Sequence, residues 1–430
     1  MSTSIRLCRP RWSIALVLVL TAAGASAQEA TSSALTFNEA MRRAAERSPS
    51  LLAESYNERA AEALIEQAGF RPNPTLDITA ENFLGTGQAQ GVRKLEATVQ
   101  ANQALERGNK REKRVALAGR ERDIATREFT VHRAELLTAT AVAYAEALAA
   151  QQRVALSESP LKLAEETLAD VDARVAAGAA SSAESARARA AVASARADHA
   201  REQAALSAFR ANLAATWGGN AAEVATLPGE IHVPDQLAAE ESFLAGIGRH
   251  PQFELQQAII ASRRASLELE QSLSVQDVTV GGGLRFLREG TDAAFVAGVS
   301  VPLPIRHKNQ GNIRAARETL AGAEAATRAV ENKLRSAFTA AWQDLKAAHS
   351  AARNLRREAL PATEEAYAVV RHAYQEGQLP LIDVLDAQRA LVAIRREILA
   401  AESAYAVALA RVEGLTTPTF SSTAALFSPQ

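Results

Sequence analysis

The chain repeats itself at an offset close to 200 residues, and each copy holds a helical stretch too long for a compact domain. Ser48-Pro49 corresponds to His250-Pro251, and Leu76-Asp77-Ile78-Thr79 to Val278-Thr279-Val280-Gly281. Gly178 corresponds to Gly377, Glu184 to Asp383 and Trp217 to Thr416, all at one offset of 199. Matching punctuation over the whole length marks two copies of one structural unit. Each copy reads in the same order: a helix (37–69 and 240–273), a strand pair, a very long helical pattern, a break at Gly178 or Gly377, and a return helix. The halves span 28–226 and 240–416. A linker at 227–239 carries Pro228, Gly229 and Pro234, and a tail at 417–430 follows.

The long helices carry tracks of period seven. Leu117, Ile124 and Val131 form one, and Phe129, Leu136, Ala143 and Ala150 another. Ile313, Leu320, Leu334, Ala341 and Ala348 lie on a third, with Thr327 filling the gap. Such a repeat calls for left-handed supercoiling against neighbouring helices. The stretch 113–177 would run for about 100 Å as one helix. Pro160 and Pro361 predict a kink or break in each long helix. Aromatic residues make up only 5% of the chain, which suits close helix packing through small side chains.

The N-terminus reads as a secretory signal, with Arg6, Arg9 and Arg11 before an apolar run at 14–20 and Ala25-Ser26-Ala27 at the cleavage site. The mature chain would begin at Gln28. Cys8, the single cysteine, would leave with the signal, so no disulfide, thiolate metal site or lipid anchor at the cleavage site is expected. Without the three signal arginines the chain has 45 basic and 49 acidic residues, which gives no support for nucleic-acid binding. No later stretch is apolar for long enough to cross a bilayer as a helix. If this exported chain spans a membrane, strands must do it.

Two segments have the required pattern. In 76–84, Leu76, Ile78 and Ala80 alternate with Asp77, Thr79 and Glu81. In 92–105, Leu95, Ala97, Val99 and Ala101 alternate with Lys94, Glu96, Thr98 and Gln100. The second half repeats this with Val278, Val280, Leu284 and Phe286, a turn through Gly290, then Phe295, Ala297, Val299 and Val301. One face is apolar and one polar, at about the nine to eleven residues a tilted membrane strand needs. Leu76, Ile78, Leu95, Val99, Val280, Leu284, Phe295 and Val299 are the expected lipid-facing residues. Two hairpins packed on soluble helices would give the same local pattern. A sheet in lipid, however, must close on itself, and four strands are too few. Three copies would supply twelve.

Here the chain resembles the TolC-like outer-membrane efflux family over nearly all of its mature length. The most specific element is Tyr374-Gln-Glu-Gly377-Gln-Leu-Pro-Leu-Ile-Asp383-Val-Leu-Asp386, which looks like the family's second helix–turn–helix tip. Arg174-Val-Ala-Ala-Gly178 through Glu184 looks like the first. Arg71-Pro72-Asn73-Pro74, the stretch 105–111, and Pro302-Leu-Pro304 through Gly311-Asn312-Ile313 resemble the CzcC branch, which serves heavy-metal efflux. The resemblance implies a mostly α fold with a small β part: long antiparallel coiled-coil helices and two β-hairpins per chain. It implies a homotrimer with a twelve-stranded outer-membrane barrel on a periplasmic helical tunnel. It further implies docking on a periplasmic membrane-fusion adaptor and, through it, on a proton-driven inner-membrane pump of the RND type, with the channel itself passive.

By the same resemblance Asp383 and Asp386 match acidic rings at the periplasmic entrance, a device that favours cations. Acids in a first helical turn also stabilise the helix dipole, so both readings stand. Tyr374 and Glu184 match positions whose contacts hold family gates shut, although Leu379 stands where some members carry an arginine. Gly178 and Gly377 read as left-handed turn residues. Ala179, Ser181, Gln378 and Leu379 complete the tips expected to face the adaptor. The seven histidines show no metal-ligand spacing, and no nucleophile elbow or phosphate loop is present. Neither enzyme activity nor a cofactor or dedicated metal site is expected. Export of drugs, solvents or secreted protein is the competing cargo. A pore-less periplasmic coiled-coil scaffold is the competing class.

Overall fold

A computed structural model describes residues 34–416 and 419–427. The signal-peptide reading, Cys8 and part of the tail lie outside the described residues. The chain is mostly helical with one small antiparallel sheet. Each repeat begins with a short and a longer helix: α1 (Phe37–Arg47) and α2 (Pro49–Gly69), then α5 (Glu240–Ile247) and α6 (Pro251–Ser272). The single helices expected at 37–69 and 240–273 are therefore each broken. Pro49 and Pro251 explain both breaks. A proline at the first helical position lacks only a dispensable N–H, and it forces the residue before it out of the helical region. Ser48 (ψ 124°) and His250 (ψ 135°) are accordingly extended.

The long helices are α3 (Lys110–Ala176) with its return helix α4 (Ser182–Ala215), and α7 (Gln310–Asn354) continuing into α8 (Leu360–Gln375) with its return helix α9 (Leu381–Thr416). At 67 residues α3 is about 100 Å long. Neither proline ends its helix. Pro160 lies inside an unbroken α3, and Pro361 follows a single widened π turn, Leu355–Ala359. A π turn absorbs the missing N–H without terminating the helix. The helix α3 packs on α2, α6, α4 and α9, and α9 packs on α7 and α8 as well.

The core sits at mid-length. There α1, Ala141 to Ala149 of α3, the end of α4, the middle of α7 and the end of α9 meet a last short helix, α10 (Ser421–Leu426). Phe37, Tyr144 and Phe427 stack with centroids 5.0–5.4 Å apart. Small side chains let the helices approach closely: a Cβ on Gly414 of α9 would come within 2.3 Å of Thr138 Oγ1 on α3. The inter-repeat linker belongs to this core. Leu227 and Ile231 are buried, and the Gln151 side chain brackets Leu227, accepting from its N–H at 3.1 Å and donating to its carbonyl at 2.7 Å. Below the core, Glu402 is 2% exposed and paired with Arg356 of the π turn. Burial pushes its carboxyl above the usual carboxylate range, and the Arg356 guanidinium draws it part of the way back.

All four strands join one sheet in the order β1 (Thr75–Glu81), β2 (Glu96–Leu105), β3 (Val278–Leu287), β4 (Asp292–Ser300), every neighbour antiparallel. The two sequence-predicted hairpins are therefore stitched together by a ten-residue ladder between β2 and β3. The strands β1 and β2 are shorter than the expected 76–84 and 92–105. The intervening residues form a turn-rich loop in which Asn82, Leu84, Gly87 and Gly91 take positive φ.

Candidate functional site

The sheet is built the wrong way round for water. Ile78, Val99, Leu284 and Phe295 stand opposite one another in a single row across all four strands. By strand alternation Leu76, Val280 and Val299 share their face, and all seven are exposed, Phe295 at 93%. Leu95 falls one residue before β2, so it lies outside the ladder, although its carbonyl accepts from the Arg288 N–H at 3.0 Å. On the opposite, polar face Thr98 is only 6% exposed. Arg285 Nε donates to Thr98 Oγ1 at 3.1 Å and Nη1 to Glu96 at 3.3 Å, with Glu81 at 3.8 Å. Asn102 donates to Asp77, and Gln100 donates to Asn102 at 2.7 Å. These amides lie across β3 where Gly281 has no side chain; a Cβ there would come within 1.8 Å of Asn102 Oδ1. The outer edges of β1 and β4 have no strand partner among the described residues.

At the opposite end the two tips are backbone copies of each other. In the first, the Ala179 N–H donates to the Arg174 carbonyl at 2.8 Å and the Gly178 N–H to the Val175 carbonyl at 3.0 Å. In the second, the Gln378 N–H donates to the Ala373 carbonyl at 2.9 Å and the Gly377 N–H to the Tyr374 carbonyl at 3.0 Å. This pair of bonds closes a helix around a left-handed residue, and Gly178 (φ 73°) and Gly377 (φ 77°) supply it.

The helix starts that follow differ. Ser181 and Glu184 form a capping box, each accepting from the other's N–H at 3.3 Å. Pro380 occupies the equivalent cap with no side-chain acceptor. Asp383 therefore sits in the first turn of α9 with no side-chain partner among the described residues. Asp386, one turn on, is exposed and paired with Arg389 at 2.9 Å. Leu379 is half-buried.

Tyr374 and Glu184 are not partners within the chain. The Tyr374 hydroxyl accepts from Arg174 at 2.8 Å, and the same guanidinium lies over its ring at 5.8 Å, while the Glu184 carboxylate is held in the capping box. Sequence reasoning placed Arg174 at the start of the first tip but gave it no role; its signal is its place four residues before Gly178, in the last turn of α3. Among the described residues no three His, Cys, Asp or Glu side chains converge as metal ligands. No described helix is long and apolar enough to cross a membrane.

Comparison with known proteins returns one family. The model described as "Outer membrane efflux protein" matches residues 40–219 and 247–417. The cobalt-zinc-cadmium resistance protein CzcC of Cupriavidus metallidurans is 27% identical over 331 residues, covering 77% of this chain and 78% of that protein. The nickel and cobalt resistance protein CnrC of the same organism is 33% identical over 325 residues, 74% of each chain. The crystal structure of the outer membrane protein VceC from Vibrio cholerae superposes with a TM-score of 0.70 at 20% identity, covering 88% of this chain and 95% of that one.

Proposed function

The chain belongs to the outer membrane efflux protein family, a family of passive channels rather than enzymes, and from this we propose that it is the outer-membrane subunit of a tripartite RND-type efflux system exporting heavy-metal cations. The observation that carries the reading is the sheet, whose apolar face is exposed on all four strands while the polar side chains of β2 and β3 are partly covered. In water that arrangement is unfavourable; around a lumen in lipid it is the stable one. Its two open edges demand partners, because unpaired backbone groups are not tolerated in hydrocarbon. Three copies close a twelve-stranded barrel and bring the long helices into a tunnel.

In that trimer Asp383 and Asp386 form two acidic rings at the tunnel's narrow end, where charge favours cations. The tips carrying Gly178, Ala179, Ser181, Gly377, Gln378 and Leu379 meet the periplasmic adaptor. The cobalt, zinc, cadmium and nickel in the relatives' names support a metal cargo. The test reconstitutes the full trimer in planar bilayers and compares Phe295→Lys with Val296→Lys, neighbours on opposite faces of β4. A lysine at the bilayer midplane costs about 2–4 kcal/mol on the lipid face, so Phe295→Lys should lose trimer and conductance while Val296→Lys retains both. Equal behaviour rejects the barrel. Loss of cobalt and nickel tolerance on deleting the gene, with drug tolerance intact, is the expected cargo result.

A further inference from the structure

The three stretches that look like the CzcC branch lie far apart in sequence, and two of them converge just beyond the strands. Arg71 and Pro72, from the α2–β1 connection, and the end of β2 with the first turn of α3 line one cavity of about 470 Å³. Its frame is tightly built. Gln103 donates to the Pro72 carbonyl at 2.9 Å. Arg114 pairs with Glu106 and donates to the Phe70 carbonyl at 3.2 Å. Lys110, 6% exposed, pairs with Asp277 at 2.7 Å, and Asp277 also accepts from the Arg107 N–H at 3.0 Å.

Within this frame the cations divide into two sets. Lys110, Lys113 and Arg114 each have an acidic partner. Arg71, Arg107 and Arg111 have none among the described residues, yet all three are exposed and line the same cavity. Against them stands one unpaired acid, Glu112; Glu106 is taken by Arg114. The second repeat sets another exposed basic run, Arg306-His307-Lys308, just beyond its own last strand. Exposed apolar residues border both sites: Phe70 and Leu105 in the first, Leu303 and Ile305 in the second.

An arginine cluster matches the geometry of phosphate oxygens. Its place, with Arg71 four residues before β1 and Arg107 two residues after β2, is headgroup height on the periplasmic side. We propose that Arg71, Arg107 and Arg111 form a binding site for the phosphate of an anionic phospholipid in the periplasmic leaflet, with acyl chains running up the apolar face of the sheet. The proposal rests on the outer-membrane reading above.

The test uses the full trimer, first shown to conduct in planar bilayers, so that failure of the channel reading is seen separately as an absence of conductance. Native mass spectrometry then follows retention of phosphatidylglycerol against phosphatidylcholine. Arg71→Gln/Arg107→Gln/Arg111→Gln should lower phosphatidylglycerol retention on the order of 100-fold, about fivefold per arginine, and leave phosphatidylcholine unchanged. Arg317→Gln/Arg328→Gln/Arg371→Gln, three exposed arginines elsewhere, should leave both lipids unchanged. A conducting triple variant that keeps its phosphatidylglycerol overturns the proposal. Equal retention of the two lipids by the wild type also overturns it, as does displacement of the lipid by millimolar inorganic phosphate.

Discussion

The two hairpin tips share one backbone and carry different chemistry. Both close α3 and α8 with the same pair of hydrogen bonds around a glycine at φ 73° or 77°. Both place an acid at the third position of the return helix. In the first tip Ser181 draws Glu184 into a capping box, so that carboxylate serves the helix end. In the second, Pro380 removes the cap partner and leaves Asp383 unpaired. The preceding helices differ likewise: α3 continues unbroken past Pro160, whereas the second repeat takes a π turn before Pro361. One side chain per tip thus separates an acid engaged in a helix cap from an acid with no side-chain partner among the described residues. Arg174 ties the two tips together through Tyr374.

Three sets of substitutions probe this contrast. The largest effect is expected from charge. Asp383→Asn should weaken block of the reconstituted channel by a multivalent cation severalfold, because three like charges leave one ring. Glu184→Gln should leave block unchanged. Asp386→Asn should fall between them, since Arg389 already offsets that carboxylate at 2.9 Å. Equal effects of Asp383→Asn and Glu184→Gln would dissolve the distinction between the tips.

Next come the glycines. Nothing lies within 4 Å of a Cβ built at Gly178 or Gly377, so Gly→Ala costs only the left-handed backbone penalty, about 1–2 kcal/mol, and should cost the same at both. Hydrogen exchange of the tip amides reads this, and unequal losses would show that the backbones are not equivalent. The smallest effect is that of the cap. Ser181→Ala should destabilise the start of α4 by about 1 kcal/mol, seen as faster exchange at residues 182–184, with no change at 381–383.

Much of this architecture was readable in the chain because the signals are local. A period of two marks a strand and a period of seven a long helix. Alternation alone put Ile78, Val99, Leu284 and Phe295 on the apolar side, and the ladder aligns them in one row. Gly178 and Gly377 could be assigned to left-handed turns because an L side chain is strained there. The breaks at Ser48 and His250 were visible as Ser-Pro and His-Pro, but the helical periodicity on either side masked them.

Other features depend on which distant groups end up adjacent. No local pattern records that β2 pairs with β3, more than 170 residues later, or that Asp277 of the second repeat pins the first repeat's β2–α3 connection. The linker reads as proline and glycine punctuation and the tail as a terminus, yet Leu227, Ile231, Phe420 and Phe427 lie in the core. Glu184 and Asp383 occupy matching positions in sequence, and only a hydrogen bond to Ser181 separates their roles. The same holds for the arginines: nine or more stand near the strands in the sequence, and three-dimensional pairing alone leaves Arg71, Arg107 and Arg111 unmatched around one cavity.

Periodicity and turn chemistry are properties of a few consecutive residues, so the linear chain already contained the repeat, the helices, the strand faces and the tip turns. Charge pairing, sheet joining and burial are properties of neighbours brought from afar, and the free energy of a carboxylate or guanidinium depends on the group opposite it. That is why the chain named the acids and arginines, while folding assigned which of them remain free.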